Sequence, residues 1–355
     1  MQKHNFSAGP CILPKEVFRE ASNSILNFNN LNLSLIEISH RSKDFINVMD
    51  EAISLTKELL KINEDYSVLF LQGGASLEFL MIAINLMKKN SKAIYLDTGT
   101  WSSKAIKEAE LFGETITIAS SKDNNYSYIP KKYNIPKEAS YFHCTSNNTV
   151  YGTQIKDFPK SPISLVCDMS SDIFSRNINI ENFDLIYAGA QKNLGPAGAT
   201  LVIVKKEILG KTGRKIPTML DYRTHINKNS MFNTPPVFSV YVSMLNLRWL
   251  KKNGGISWAQ NRNEQKAKLL YETIDANSLF TGTVNKEDRS TMNATFLLNE
   301  KKLEEKFNHI CEENGINGLK GHRSVGGYRA SMYNAMGIES VQVLVDIMNE
   351  LEKKS

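Results

Sequence analysis

The sequence predicts an α/β fold: a large domain whose mostly parallel, seven-stranded sheet is sandwiched by helices, and a smaller α+β domain after it. Between residues 66 and 204, short apolar runs alternate with segments of helical periodicity. Apolar strands that alternate with helices are typical of parallel sheets covered on both faces. The pattern changes near residue 250, and 355 residues are enough for about two domains.

The strands and helices of the large domain follow one another in order. The seven β-rich runs are 68–72, 93–97, 115–119, 141–145, 163–168, 184–188 and 199–205. The first run leads through Gly73 and Gly74 into an amphipathic helix over 76–89, and the second leads into a helix over 102–112. Glycine at such a position is typical of a turn between two elements.

A change of pattern near residue 250 marks the second domain. Residues 249–255 indicate a helix that ends in a glycine cap. The elements predicted after it are a long polar helix over 257–276, a strand over 291–298, and helices over 301–314 and 340–353. We therefore predict a large domain over 16–255 and a small domain over 256–355, which residues 1–15 join.

The charge distribution argues against two classes of partner. Lys and Arg total 43 against 37 Asp and Glu, so the net charge is +6, and the basic clusters are no longer than pairs such as Lys131 and Lys132. Proteins that bind nucleic acids or membrane surfaces by charge concentrate their basic residues. We expect neither nucleic acid nor a membrane as a partner.

Four cysteines are scattered along the chain, at Cys11, Cys144, Cys167 and Cys311, and none forms a CxxC pair. Such usage is typical of a reducing compartment and argues against a disulfide scaffold or a zinc site, so we expect no metal. The N-terminus lacks an apolar signal segment, and the most apolar helical stretch, 79–87, is too short for a bilayer. We expect a cytoplasmic protein.

Residues suited to chemistry gather where the predicted strands end, which is where parallel sheets bind ligands. The glycine turn over 73–76 fits a tight connection and equally a phosphate cradle, in which backbone N–H groups approach an anion. No GxGxxG motif occurs, which argues against a nicotinamide-binding fold. The other strand ends lead to Trp101, Thr149, Asp168, Gln191 and Lys192.

Asp168 and Lys192 each admit two interpretations. An acid that ends a buried strand is a capping or loop residue, or it pairs with a cation. A lysine before a glycine-rich turn is an exposed side chain, or a buried amine whose lowered pKa favours Schiff-base formation. With the glycine turn and Trp101, the two specify pyridoxal phosphate, which requires an amine, a carboxylate for its ring nitrogen and a phosphate cradle.

Seven motifs occur in order along nearly the whole chain. They are HNFSAGP over 4–10, SHRS over 39–42, FLQGGAS over 70–76, DMSS over 168–171, YAGAQKNLGP over 187–196, MFNTPP over 231–236 and GHRSVGGYRAS over 321–331. With this order and spacing, the sequence resembles the phosphoserine aminotransferase family, which belongs to class V of the fold-type-I pyridoxal-phosphate enzymes. The resemblance implies that fold, that cofactor and a homodimer.

The resemblance implies a role for each matching position. Lys192 matches the Schiff-base lysine, Asp168 the carboxylate that faces the pyridine nitrogen, and Trp101 the aromatic residue stacked on the ring. The other cofactor contacts that it implies are Ala75, Ser76 and Gln191 at the phosphate and Thr149 near the ring hydroxyl. Asn233 and Thr234 match residues that the neighbouring subunit contributes to the phosphate site, which implies shared active sites.

The substrate implied by the resemblance is doubly anionic. The matching substrate-binding positions are Ser7, His40, Arg41, His322, Arg323 and Arg329. 3-Phosphohydroxypyruvate carries a phosphate with a charge of about −2 and a carboxylate, and arginine recognises both through bidentate hydrogen bonds. Some family members have an arginine in the glycine turn where this chain has Ala75 and Ser76.

The expected reaction is transamination between L-glutamate and 3-phosphohydroxypyruvate, which gives O-phospho-L-serine and 2-oxoglutarate in serine biosynthesis. Formation of 4-phosphohydroxy-L-threonine in pyridoxine biosynthesis stays open, as does another class V aminotransferase with a different anionic oxo acid. A cysteine desulfurase is disfavoured because Cys311 and Cys167 lie in a predicted helix and strand. A phosphate-binding protein without catalysis is the alternative from a different class, and it would be colourless.

Overall fold

The computed structural model describes residues 2–355. Within them, helices α1 to α9 are Lys15–Leu26, Lys43–Leu60, Gly74–Leu86, Thr100–Glu110, Tyr222–Ile226, Val237–Lys252, Gly255–Ala276, Glu304–Glu313 and Ile338–Lys353. Strands β1 to β12 are His4–Asn5, Tyr66–Leu71, Lys92–Asp97, Glu114–Ser120, Phe142–Thr145, Leu165–Asp168, Leu185–Gly189, Thr200–Lys205, Phe280–Gly282, Asn293–Leu298, Ile316–Asn317 and Tyr328–Ser331.

A seven-stranded sheet lies at the centre of the larger part of the molecule. Its strand order is β2-β8-β7-β6-β5-β3-β4. Every neighbouring pair is parallel except those of β8, which runs antiparallel to both β2 and β7. The predicted sheet is therefore confirmed, and each strand begins and ends within about two residues of the run that predicted it.

Helices cover both faces of this sheet. Val68 and Phe70 of β2 belong to the hydrophobic core formed with α2 and α6, whereas Leu69 and Leu71 belong to the core formed with α3 and α4. Successive side chains of a strand point to opposite faces, so this alternation places one helical layer on each face. The double cover explains why β2 and β7 are buried along their whole length.

A second core surrounds a three-stranded antiparallel sheet with the order β12-β10-β9. Side chains of α7, α8 and α9 pack against it, and Phe6 from the N-terminal segment is fully buried in the same core. Strand β1 pairs in parallel with β11, which ties the two ends of the chain together. The division into domains over 16–255 and 256–355, with residues 1–15 in the second, stays a prediction.

The carboxyl ends of β2, β3, β5, β6 and β7 lie along one edge of the large sheet, because these five strands run in the same direction. This edge therefore carries the glycine turn after β2, Asp168 at the end of β6, and the turn after β7 that contains Lys192. Within residues 2–355, no helix has both the length and the apolar character that crossing a membrane requires.

Candidate active site

A cavity of about 290 Å³ opens at this carboxyl edge. The predicted site residues that line it are Ala75, Ser76, Trp101, Thr149, Asp168, Gln191, Lys192, His322 and Arg329. Ala8 and Gly9 of the N-terminal segment complete one wall. A larger cleft of about 780 Å³ adjoins this cavity and shares His322 and Arg329 with it. The fold thus brings seven separate regions of the chain to one place.

Lys192 lies on the turn after β7 and is almost completely buried, with 7% of its surface exposed. Its ammonium Nζ donates a hydrogen bond to Thr149 Oγ1 at 2.8 Å. Burial lowers the pKa of this lysine to about 8, although the Asp168 carboxylate favours the charged form. An amine with such a pKa is partly unprotonated near neutral pH and is therefore a nucleophile.

The backbone around Lys192 is fixed by several hydrogen bonds. The N–H groups of Lys192 and Gly195 both donate to Ala190 O, each at 2.7 Å. The Cys11 thiol donates to Lys192 O at 2.9 Å, and Asn246 Nδ2 donates to Asn193 O at 2.7 Å. The role of Cys11 was missed in the sequence, where nothing connects a thiol at position 11 with a lysine 181 residues later.

Asp168 ends β6 with only 4% of its surface exposed. Its Oδ1 accepts a hydrogen bond from Ser170 N at 2.8 Å, and within residues 2–355 no lysine or arginine forms an ion pair with it. Burial raises the pKa of this carboxyl group, which Ser170 and Lys192 oppose. A buried carboxylate without a cation partner has room for a protonated ring nitrogen, as pyridoxal phosphate would supply.

Trp101 is the second residue of α4, and its ring lines the cavity. Lys192 Nζ lies 5.8 Å from the centroid of this ring. The turn before Trp101 is held by the Asp97 carboxylate, which accepts hydrogen bonds from four hydroxyl groups and forms no ion pair within residues 2–355. The four hydroxyl groups belong to Ser102, Ser103, Ser120 and Tyr126.

The first turn of α3 points its backbone N–H groups toward the cavity beside Ala75 and Ser76. Its N-cap is Gly73, with a left-handed φ of +92°, and no side chain caps the helix. A Cβ atom at position 73 would lie 2.4 Å from a carbon of Leu77, so the turn itself also requires glycine. The tight turn therefore requires glycine, whereas phosphate binding by the backbone N–H groups at the start of α3 stays a prediction.

Arg329 and His322 give the cavity a cationic side. Arg329 Nη1 donates to Thr149 O at 3.3 Å, whereas its buried Nε has no hydrogen-bond partner. Burial lowers the pKa of both Arg329 and His322, and the charge of Arg329 contributes to the shift of His322. Within residues 2–355 neither forms an ion pair, so both are available to an anionic ligand.

Other predicted residues do not line this cavity in the single chain. They are Ser7, His40, Arg41, Arg323, Asn233 and Thr234. Arg41 and Arg323 are exposed, and His40 is partly buried with no partner for its Nε2. Thr234 lies beside the glycine turn, where its O accepts a hydrogen bond from Gln72 Nε2 at 2.6 Å. Within residues 2–355, no cluster of side chains suits a metal ion.

The chain is similar to known proteins over almost its whole length. The model of the class V aminotransferase family matches residues 3–344. A phosphoserine aminotransferase from Flavobacterium psychrophilum is 66% identical over 355 residues, and the match covers all of both chains. The structure of phosphoserine aminotransferase from Bacillus circulans subsp. alkalophilus has 43% identity, a TM-score of 0.96 and 99% coverage of each chain.

A PLP-bound phosphoserine aminotransferase from Trichomonas vaginalis has 36% identity and a TM-score of 0.94, and the match covers 98% of this chain and 100% of that one. These similarities extend over the large sheet, the cavity and the second core alike. They confirm the resemblance that the seven motifs indicated. The chain belongs to the class V aminotransferase family.

Proposed function

We propose that this protein is a pyridoxal-phosphate-dependent transaminase that transfers the amino group of L-glutamate to 3-phosphohydroxypyruvate, giving O-phospho-L-serine and 2-oxoglutarate. The observation that carries the proposal is that one cavity holds a buried amine, Lys192, and a buried carboxylate, Asp168, which forms no ion pair within residues 2–355. The phosphoserine aminotransferases that resemble the chain over its whole length support the substrate class.

The side chains of the cavity fit the cofactor. When bound, pyridoxal phosphate supplies an aldehyde that condenses with amines and a ring that accepts electrons from the bond broken at the substrate Cα. Asp168 would accept a hydrogen bond from the ring nitrogen, and the first turn of α3 beside Ala75 and Ser76 would bind the phosphate. Trp101 provides an aromatic face for stacking.

Lys192 is the residue that moves the proton. With a pKa of about 8, its amine is available to attack a carbonyl and, once displaced by the amino group of glutamate, to act as a base. With the cofactor bound, Nζ would take the proton from the substrate Cα and deliver it to the cofactor carbon that receives the amino group, and it would make both transfers in the opposite direction in the second half-reaction. The hydrogen bond from Nζ to Thr149 Oγ1 holds the amine at the cavity wall between these transfers.

Arg329 orients the substrate. Its guanidinium group lies in the cavity wall with an unpartnered Nε, and it anchors the carboxylate that glutamate and the oxo acid share. His322 lies beside it at the opening to the larger cleft. A fixed anchor for the substrate carboxylate holds the Cα within reach of Lys192 Nζ. Part of the binding energy is thereby used to orient the substrate.

A spectroscopic experiment on the purified protein tests the proposal. We expect yellow protein whose visible absorbance falls when glutamate is added and returns when 3-phosphohydroxypyruvate is added. Purified protein that contains no pyridoxal phosphate would support the alternative of a phosphate-binding protein without catalysis. Holoprotein whose visible absorbance does not change when glutamate is added would contradict the proposal. Assays with 3-phosphohydroxypyruvate and with the phosphorylated oxo acid of pyridoxine biosynthesis, side by side, decide whether the enzyme serves both pathways.

The predicted location of the protein stays the cytoplasm.

We also infer a homodimer in which Asn233 and Thr234 reach the cavity of the neighbouring subunit. The two residues lie outside the cavity of their own chain. Phe232 and Phe238, on either side of them, are 38% and 36% exposed. Apolar surface of this kind is what a second copy of the chain would cover.

Mixed dimers test this arrangement. A Lys192→Ala chain and an Asn233→Ala/Thr234→Ala chain are each expected to form inactive or weakly active dimers. In a mixed dimer, one site combines an intact Lys192 with intact residues 233 and 234. Equal mixing should therefore restore roughly a quarter of the wild-type sites, since about half of the dimers are mixed. Activity that is only the average of the two parent dimers would refute shared sites.

A further inference from the structure

Asp97 is a buried carboxylate beside the candidate active site that the proposed function leaves without a role. It is the last residue of β3, shortly before Trp101, and it does not line the cavity. Only 7% of its surface is exposed, and within residues 2–355 it forms no ion pair. A buried charge without an opposite charge is unfavourable unless hydrogen bonds replace the lost water. Asp97 therefore depends on the hydroxyl groups around it.

The first carboxylate oxygen of Asp97 holds the start of α4. Oδ1 accepts hydrogen bonds from Ser102 Oγ at 3.0 Å and from Ser103 Oγ at 2.9 Å. These two serines directly follow Trp101 in the first turn of the helix. Ser102 Oγ in turn accepts a hydrogen bond from the backbone N–H of Gly99, the N-cap residue, at 3.0 Å. The backbone on both sides of Trp101 is thus connected to one oxygen of Asp97.

The second carboxylate oxygen holds a different segment. Oδ2 accepts hydrogen bonds from Ser120 Oγ at 2.8 Å and from the Tyr126 hydroxyl group at 3.2 Å. Ser120 ends β4, which pairs with β3, and Tyr126 lines the larger cleft. The carboxylate therefore joins the first turn of α4 to the sheet and to the wall of the cleft. Hydrogen bonds to a charged acceptor are stronger than those between neutral groups, so this junction resists displacement.

The Trp101 ring has no comparable contact of its own. Its indole Nε1 is buried and has no hydrogen-bond partner within residues 2–355. The direction of the ring therefore follows from its rotamer and from the backbone of the first turn of α4, where a helix leaves N–H groups without internal partners. A side chain that binds a ligand is accurately placed only when the residues around it fix it. The hydroxyl network of Asp97 fixes this turn.

We propose that Asp97 is a positioning residue: its carboxylate fixes the first turn of α4, and thereby the Trp101 indole, in the position that stacks on the pyridoxal phosphate ring. The inference rests on the proposed function, in which Trp101 provides the aromatic face. The simpler alternative is that Asp97 only stabilises α4, because a negative charge near a helix N-terminus is favourable. That role would affect the thermal stability of the protein and leave the bound cofactor unchanged.

A double-mutant cycle on the holoenzyme separates these two roles. Asp97→Asn keeps the shape of the side chain but removes the charge and one acceptor oxygen. We expect release of pyridoxal phosphate on dilution to be about fivefold faster, within the contribution of one aromatic stack, and its visible circular dichroism to fall by about half. Trp101→Ala should have at least the same effects. Because Asp97 acts through Trp101, the double variant should behave like Trp101→Ala alone.

Asp184→Asn is the matched control, because it also removes a carboxylate from the large sheet. Asp184 precedes β7 at the opposite edge and pairs with Lys205 Nζ at 2.8 Å, so its loss should lower Tm without altering the release rate or the circular dichroism. Ser103→Ala and Tyr126→Phe each remove one hydroxyl group and keep the charge of Asp97. Each should accelerate release about twofold, which tests the proposal even if Asp97→Asn does not fold.

Two results would overturn the inference while the proposed function stands. Additive effects on the release rate in the double variant would show that Asp97 does not act through Trp101. A lower Tm for Asp97→Asn with the release rate and circular dichroism of the wild type would limit the residue to the stability of α4. A Trp101→Ala holoenzyme with wild-type properties would refute the stacking itself, and wild-type protein that binds no pyridoxal phosphate would refute the proposed function.

Discussion

The floor and the rim of the cavity are built differently. The floor, which we define as Thr149, Asp168 and Lys192, is buried and joined by a direct hydrogen bond between Lys192 and Thr149. The rim, which we define as Arg41 and Arg323, is exposed and does not line the cavity of its own chain. The family resemblance implied a role for both sets, but only the residues of the floor line the cavity.

The difference follows from what holds each set. Asp168 ends β6, which is hydrogen-bonded to a strand on each side, and Lys192 follows β7, which is held in the same way. Moving either residue requires breaking part of the sheet. Arg41 and Arg323 lie on exposed turns between elements, where neighbouring strands do not hold the backbone. The positions of Asp168 and Lys192 are therefore fixed by the sheet, whereas those of Arg41 and Arg323 are not.

The largest effect is expected from removing the amine of the floor. Lys192→Met keeps the volume of the side chain and eliminates the group that attacks the carbonyl and moves the Cα proton. We expect a loss of transaminase activity of at least about 10³-fold. Visible spectra before and after addition of glutamate measure the first half-reaction, and both the original visible band and its response should disappear.

Lys266→Met is the matched control for this variant. Lys266 is fully buried outside the cavity, donates to Met332 O and Tyr333 O, and its pKa is lowered by burial to about 7. Replacing it also removes a buried amine, but we expect activity within about threefold of the wild type. Comparable losses of activity in the two variants would mean that loss of any buried lysine lowers activity. The result would then not assign a catalytic role to Lys192.

An intermediate effect is expected where floor and rim meet. Arg329→Ala removes the guanidinium group from the cavity wall, and we expect KM to rise about tenfold for both glutamate and the oxo acid, because both carry the carboxylate that Arg329 anchors. Arg323→Ala should raise KM for the phosphorylated acid alone, by less than about threefold. A larger effect of Arg323→Ala on glutamate than of Arg329→Ala would reverse the assignment of the two arginines.

The positions of Asp168 and Lys192 in the floor could be predicted from the sequence, because the apolar strand pattern indicates where each strand ends. The run over 163–168 predicted a buried strand that ends at Asp168, and β6 ends there. The run over 184–188 placed Lys192 in the turn after the next strand, and β7 ends at Gly189. Parallel strands share one carboxyl edge, so the order of the strands alone brings these residues together.

The supporting contacts were not readable because they join residues far apart in the chain. The thiol of Cys11 bonds to the backbone of Lys192, and the hydroxyl groups around Asp97 include that of Tyr126, 29 residues later. Neither pattern has a periodicity or a spacing that marks it in a sequence. The side-chain positions of the rim could not be predicted either, since the sequence around an exposed arginine in a loop does not indicate where its side chain lies.

The smallest effect is expected at Glu78, which lies on α3 outside the cavity lining. It is fully buried, accepts a hydrogen bond from the Tyr222 hydroxyl, and its pKa is raised by burial to about 8 from an ordinary value of 4.5. Between these two pH values the folded protein holds a proton that the unfolded chain releases. The free energy of unfolding contributed by Glu78 therefore decreases as the pH rises through this window.

Glu78→Gln removes this titration and should flatten the pH dependence of Tm between pH 5 and 8, by about 2 °C or more relative to the wild type. Glu110→Gln, an exposed change on α4, is the control and should leave the profile unchanged. Activity of Glu78→Gln should stay near that of the wild type, because strands and not α3 hold Asp168 and Lys192. If activity and Tm fall together, α3 helps to position the floor residues. The floor would then depend on more than the strands that hold Asp168 and Lys192.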